Sequence, residues 1–413
     1  MCQSFSRGKE VFLLIEAGTS RFWRAALAMS IGSFLIFANL YMTQPLLPLF
    51  VEAFGVSETV SSLSVSLVIL SLSLFLLVFA ALSDAYGRKP IMVFSMVGVT
   101  VSTWLLIWVP NFSLLLVLRA LQGVFLAGLP AVALAYLADE VEPRALSAAV
   151  GIYISGNTIG GMVGRVIAGF AADRGGYELT FLVMGCISLL CLALFMVLLP
   201  EAKQFQPRPL RWRESVGAMR QHLVNPVLLP AFFVGGLHFF LFVGLYNDVT
   251  FLLSSPPYHL SPGVLGLLFF TYAAGTVSST LAGWANRWWR SSTGIAFGIA
   301  CMAGGLLITL ARSLGAIICG LLAFCFGYFF AHSLTSSYVS KQASFAKASA
   351  SSLFLIAYYL GGSVGSTVLG MIYFAWQWEG VIAASMLVLL ATFGLSQVKR
   401  RHEARQQAAS ESR

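Results

Sequence analysis

Three features of this chain predict an all-α membrane protein of twelve transmembrane helices, built as two six-helix bundles related by pseudo-twofold symmetry. Its residues are 58% hydrophobic and only 10% charged, with a mean hydropathy of +0.84. That leaves too little polar surface to clothe a soluble globule, so the solvent is lipid. The apolar residues fall into twelve runs, each close to the about 20 residues that cross roughly 30 Å of hydrocarbon. The last six runs also repeat details of the first six.

In order, the spans are predicted at 22–48, 59–83, 90–109, 112–137, 145–170 and 179–199, then 227–253, 263–285, 293–311, 313–339, 348–373 and 378–397. This divides the chain into an N-terminal segment (1–21), a first bundle (22–199), a central linker (200–226), a second bundle (227–397) and a tail (398–413). The apolar run from Val11 to Ile15 is too short to span and has no cleavage site of the signal-peptide kind.

Lysine and arginine set the sidedness. Arg7, Lys9, Arg21 and Arg24 precede the first span, Arg88 and Lys89 follow the second, and Arg144 follows the fourth. Lys203, Arg208, Arg211, Arg213 and Arg220 fill the linker, Arg287 and Arg290 follow the eighth span, and Lys341 and Lys347 the tenth. Lys399, Arg400, Arg401, Arg405 and Arg413 form the tail. Twelve spans put all of these on one side, predicted to be the cytoplasmic face of a bacterial inner membrane, with both termini there. The net charge of +9 is thus spent at helix ends, which argues against a nucleic-acid surface.

The repeat is visible in the fifth and eleventh spans. Tyr153, Gly156 and Gly160 recur as Tyr358, Gly361 and Gly365, each 205 positions later, and Leu40-Tyr41 recurs as Leu245-Tyr246 at the same offset. Asp84 after the second span corresponds in topology to Asn286 after the eighth. Parallel repeats joined by a long linker are the pattern of alternating-access carriers. The six cysteines show neither metal-ligand spacing nor a disulfide framework and read as packing residues.

Ala80-Ala81-Leu82-Ser83-Asp84-Ala85-Tyr86-Gly87-Arg88-Lys89 resembles the signature between the second and third helices of the major facilitator superfamily, with Ala80 at its leading glycine and Ala85 at its first arginine. Arg119-Ala120-Leu121-Gln122-Gly123 resembles the signature of its fourth helix. Gly156, Gly160 and Gly164 resemble the glycine ladder of its proton antiporters, with Gly161 at the usual proline and Arg165 at a final glycine. Tyr153-Ile154-Ser155-Gly156-Asn157, Ala331-His332-Ser333 and Tyr358-Tyr359-Leu360-Gly361 are similar to the YnfM branch of bacterial inner-membrane efflux carriers. The resemblance covers the chain from residue 20 to the tail. It implies the major facilitator fold, a cavity lined by the first, fourth, seventh and tenth helices, and a conformational latch at Asp84, Gly87, Arg88 and Lys89.

The residues supply physical reasons of their own. Asp84 and Arg88 stand four apart around a turn containing Gly87, so the carboxylate can meet a neighbouring helix N-terminus or a guanidinium across the interface between halves. A solvated, orientation-setting loop is the plainer alternative. Glycines at 156, 160 and 164, with Gly361 and Gly365 in the repeat, mark helix faces that admit close backbone approach. They are expected to pack and to form a sliding contact between halves.

Charge inside a span is costly and therefore a functional candidate. Arg119, Arg165 and Asp248 are the strong cases. Arg119 and Asp248 lie at similar depth, which makes an alternating pair possible; protonation of Asp248 would then loosen the far gate. Alternatively Asp248 caps an irregular helix end before Pro256-Pro257, and Arg165 snorkels to the interface. His238 and His332 are proton-relay candidates or ordinary hydrogen-bonded histidines. Asn39, Tyr41, Gln44, Gln122, Tyr246 and Asn247 are substrate-cavity candidates that could equally satisfy interhelical bonds.

No phosphate-binding loop, zinc motif or nucleophile triad appears, so the chain reads as neither an ATP-driven pump nor an enzyme. The expected function is rocker-switch secondary transport, with proton-coupled export of a small organic solute or drug. A facilitator or proton symporter for uptake and a transporter-like sensor stay open as alternatives. The expected partners are a small-molecule substrate, protons and the bilayer, with no nucleic acid, no cofactor and no metal, in a monomer.

Overall fold

Hydrocarbon offers the backbone no hydrogen bonds, so each apolar run must satisfy its own peptide groups, and a helix does so. The computed structural model describes residues 14–205, 212–285, 287–343, 345 and 347–411. Among these, ten helical stretches are long and apolar enough to cross a membrane. In chain order the helices are α1 (Ser20–Tyr41), α2 (Leu47–Phe54), α3 (Glu58–Tyr86), α4 (Arg88–Leu105), α5 (Phe112–Leu126), α6 (Gly128–Glu140) and α7 (Pro143–Leu198). There follow α8 (Trp212–Leu223), α9 (Leu229–Ser254), α10 (Pro262–Leu267), α11 (Ala273–Ala285), α12 (Ser291–Thr309), α13 (Leu314–Gln342) and α14 (Lys347–Glu411).

Two of these exceed any bilayer. At about 1.5 Å per residue, the 56 residues of α7 and the 65 of α14 would far overrun the hydrocarbon. Each is broken: α7 at Gly175 and Gly176, where Gly176 takes φ +67°, and α14 at Gln377. Each is long enough for one pass on either side of its break, as twelve spans require. Several starts are capped as their sequence suggests: the side chains of Thr19, Ser57, Asn111 and Ser313 accept from backbone N–H groups of the first turn.

Small residues fix the packing within each half. The face of Gly156, Gly160 and Gly164 meets the backbone of Ser30, Phe34 and Ala38 on α1, in step every four residues. In the second half Gly361 and Gly365 meet Gly236 and Phe240 on α9. Both glycine faces therefore join helices of the same half. The sliding contact between halves expected from the sequence is not made by them, because their close approach is consumed inside each bundle.

The halves meet instead at the end remote from the termini. Ser66 Oγ lies 2.9 Å from Thr367 Oγ1, Ser363 Oγ donates to Ser66 O at 2.8 Å, and Ser366 Oγ donates to Ser62 O at 3.2 Å. Asp173, just before the break in α7, accepts from Ser261 Oγ at 2.9 Å and from Gly263 N at 3.1 Å. A first-half carboxylate thus caps the N-terminus of second-half α10, where the helix dipole favours it.

The linker, expected only as a connection, contains α8, whose His222 stacks on Phe345 at 4.4 Å. The N-terminal segment is anchored: Ile15 is buried, pairs with Val141 in an isolated parallel bridge, and donates to Glu140 O. Arg21 lies 3.7 Å from the buried Glu140 carboxylate. Cys2, Arg7, Lys9, Val11, Arg208, Arg211, Asn286 and Arg413 lie outside the described residues, as do the side chains of Arg213, Lys347, Lys399, Arg400, Arg401 and Arg405.

Candidate functional site

Two arginines are buried in the described spans, and the structure treats them differently. Arg119, on α5, is fully buried and commits all five of its N–H donors within the first half. Nε reaches Ser64 O at 3.1 Å, Nη1 reaches Asn39 O at 2.9 Å and Gln122 Oε1, and Nη2 reaches Leu40 O at 2.8 Å and Thr43 Oγ1 at 3.3 Å. Asn39 and Gln122 belong to the same knot. Asn39 Nδ2 donates to Ser188 Oγ at 2.8 Å, Thr103 Oγ1 donates to Asn39 Oδ1 at 2.7 Å, and Gln122 Nε2 donates to Thr103 Oγ1 at 2.8 Å. For Asn39 and Gln122 the structure shows the second of the two roles the sequence left open: they are buried struts that hold α1, α4, α5 and the second pass of α7 together.

The expected pair between Arg119 and Asp248 is not formed in this conformation. Arg119 has no donor left, and both carboxylate oxygens of Asp248 are buried without a hydrogen-bond partner. Nor does Asp248 cap a helix end, since α9 runs on to Ser254. Its carboxylate lies at the joint between halves beside Gly370 and Ser62, whose Oγ also lacks a partner.

Arg165, in the first pass of α7, does not snorkel. It is 1% exposed and points inward, where Tyr41, Phe269 and Tyr272 surround the guanidinium with ring centroids at 4.2, 4.2 and 4.9 Å. Nε donates to Gln44 Oε1 at 2.6 Å, Nη1 to Gly161 O, and Nη2 to Tyr272 OH at 3.4 Å. From Gln44 the network crosses between halves: Gln44 Nε2 donates to Asn247 Oδ1 at 2.8 Å, and Asn247 Nδ2 donates to Ser366 Oγ at 2.6 Å. Of the polar cavity candidates, Tyr41, Gln44 and Asn247 are thus gathered around Arg165. Tyr246 is turned into the second half, against Thr271 Oγ1 and Cys325 Sγ.

An aromatic wall continues from Tyr272, and the sequence reading did not identify it. Phe242 lies 4.9 Å from Tyr272 and stacks on Tyr328 at 4.1 Å; Phe239 stacks on Tyr358 at 3.8 Å. Tyr328 OH and Tyr358 OH are 2.7 Å apart. His332 lies 4.8 Å from Tyr358, and its Nδ1 has no hydrogen-bond partner. The signal was present as aromatic residues at helical spacing: 239 and 242 on α9; 324, 328 and 332 on α13; 354 and 358 on α14. His238 stands apart, 3.2 Å from Thr392 Oγ1 in the packing of α9 against the last pass.

The latch residues form a cluster within the first half. Gly87 takes φ +106°, which favours glycine and turns α3 into α4. Arg88 pairs with Asp84, donates from Nε to Asp139 Oδ2 at 3.1 Å and from Nη1 to Ser83 Oγ at 2.8 Å. Lys89 Nζ donates to Leu199 O at 2.7 Å. Asp84 is 45% exposed and makes no bond to the second half among the described residues. The cross-interface clasp expected for it is therefore not made in this conformation.

Comparison with known proteins agrees with this architecture. The family pattern described as Major Facilitator Superfamily matches residues 29–366. The inner membrane transport protein YnfM of Escherichia coli is 37% identical over 390 residues, covering 94% of each chain. The multi-drug resistance efflux pump PmrA of Streptococcus pneumoniae is 36% identical over 180 residues, which is 43% of this chain and 44% of that one. Among solved structures, a bacterial homologue of the human lysosomal transporter Spinster, inward-facing and unoccupied, superposes with a TM-score of 0.76. The match covers 93% of this chain and 98% of that one, and at 15% identity it is a likeness of fold.

Proposed function

This chain belongs to the major facilitator superfamily, and on that premise we propose that it is a secondary carrier of a bacterial inner membrane that exports a small organic solute against protons. Both termini lie in the cytoplasm, and the halves 22–199 and 227–397 rock as bodies about the site between them. The observation that carries this reading is the one-sided joint. Side-chain hydrogen bonds connect the halves toward the end remote from the termini, while the aromatic wall and Arg165 lie between them. This is the form of a carrier closed outward and facing inward. The partial match to a multidrug efflux pump supports export.

Asp248 supports the choice of protons. An unpaired carboxylate ion sealed among apolar helices is expensive, and here closing the outer joint buries Asp248 with no cation beside it. Closure of the outer joint is then coupled to taking up a proton from outside, and antiport requires that this proton leave toward the cytoplasm before the joint reopens. The sign is opposite to that of an Arg119 pair, in which protonation would have loosened the gate.

Reconstituted vesicles test the reading. Movement of a bound solute driven by an imposed pH gradient supports coupled transport, whereas equilibration indifferent to the gradient identifies a facilitator and binding without flux a sensor. Failure of every demonstrably bound solute to move with protons would sink the antiporter assignment.

A further inference from the structure

We propose that Arg165 is the receptor for an anionic group on the transported solute, and that the solute is an aromatic carboxylate. The inference rests on the carrier reading and adds the chemical class of cargo.

The contrast between the two buried arginines carries it. Arg119 spends five N–H donors on five protein acceptors and has nothing left to offer. Arg165 spends three, one of them on a hydroxyl as far as 3.4 Å, so two N–H groups meet no protein acceptor. Among the described residues no carboxylate pairs with it, although a buried guanidinium is normally neutralised by one. Its neighbours are the faces of Tyr41, Phe269 and Tyr272, which attract a cation without cancelling its charge.

A glycine keeps side chains away from this cation. Gly161 lies one turn nearer the termini on the same helix. A Cβ there would come 3.4 Å from Arg165 Nη1 and 4.0 Å from the Tyr41 ring, with no other side chain closer. A side chain longer than alanine would stand in front of the guanidinium. Tyr272 belongs both to the cage and to the wall of Phe242 and Tyr328, so an anion held at Arg165 would place its apolar body against stacked rings. The fit is to a planar acid: a carboxylate takes two parallel N–H bonds from one guanidinium, and the rings take the body by offset stacking.

The test uses purified full-length protein and three acids, benzoate, cinnamate and indole-3-acetate, each beside its neutral amide. Acids and amides have nearly the same shape, so what differs is the charge and the exchange of one acceptor oxygen for an NH2 donor. The expected result is that at least one acid raises the melting temperature with saturable dependence while its amide does not. Arg165→Gln should weaken that affinity about tenfold or more, and Gly161→Val, which keeps the cation but blocks its approach, should weaken it too. Equal stabilisation by acid and amide, no response to any of the three acids, or unchanged affinity in a folded Arg165→Gln or Gly161→Val protein would each overturn the assignment. Counterflow of the labelled acid in vesicles separates the two proposals. Binding without counterflow would sink the carrier reading and leave the anion site standing, whereas transport of only neutral or cationic solutes would do the reverse.

Discussion

Replacing Gly160 by alanine tests whether the glycine face is a rigid contact inside the first half. A Cβ at this position would lie 2.6 Å from Phe34 O, 2.7 Å from Phe34 Cα and 3.0 Å from Phe34 C. All three are backbone atoms of α1, so no side chain can rotate away. Restoring an ordinary 3.4 Å contact requires α1 and α7 to part by about 0.8 Å, and the cost of such overpacking is roughly 1–3 kcal/mol. Against that stands about 1 kcal/mol of improved helix propensity. Gly151, on the same helix, supplies the control, because a Cβ there meets nothing within 4 Å. The propensity gain is common to both substitutions, so the difference between G160A and G151A isolates the contact. Followed by tryptophan fluorescence on heating in detergent, G160A should melt roughly 2–6 °C below G151A, with G151A at or above the parent. Equal melting of the two variants would refute the reasoning.

Other expectations follow from the joint and the arginines. Asp173→Ala removes the cap on α10, typically about 1 kcal/mol, and should raise the outward-open population about fivefold; spin labels at Arg174 and His259 would then report longer distances, and an unchanged distribution would contradict the gate. Raising the pH should open the same pair of labels in the parent but not in Asp248→Asn, which keeps the neutral shape; persistence of the pH response in that variant would remove Asp248 from the mechanism. Arg119→Gln strands buried carbonyls of Asn39, Leu40 and Ser64 and should lower stability by roughly 2–4 kcal/mol, measured as a fall in melting temperature. Exchanging the charges of Arg119 and Asp248 in one protein should fail to restore transport, and recovery would revive the pair.

The parts of this fold that depend on one helix at a time are legible in the sequence. Span positions and the turn at Gly87 follow from local hydropathy and backbone preference. What needed the structure is direction around the helix axis relative to a second helix. Counting residues puts Arg119 and Asp248 at one depth, but depth says nothing of azimuth, and Arg119 faces the carbonyls of its own half. The four-residue glycine spacing identifies a face without saying which backbone meets it. Arg165, counted from the sequence, stands close enough to a helix end to snorkel. It turns inward because a 3-10 segment from Leu268 to Tyr272 brings Phe269 and Tyr272 over it from the other half, and no periodicity in α7 encodes that.

Two kinds of contact serve a moving carrier. Within each half, glycine faces press backbone on backbone, a contact that cannot be loosened gradually and so keeps the helices of a bundle together. Between the halves, Gly169 meets the Pro262 carbonyl and Gly266 the Arg165 carbonyl at similarly close range, and around them the joint adds serine and threonine hydroxyls, two amides and the Asp173 cap, each polar contact worth about 1 kcal/mol net and able to exchange its partner for water. A joint of that strength can be tipped by a few kcal/mol of differential binding, which is the scale that one proton on Asp248 or one anion on Arg165 supplies. The two groups are connected through Gln44 and Asn247, the residue preceding Asp248. An anion drawing Arg165 away from Gln44 would release the amide that holds Asn247 across the halves. Cargo and proton would then act on the same few bonds, so each could alter the other's hold on the gate without any contact between them.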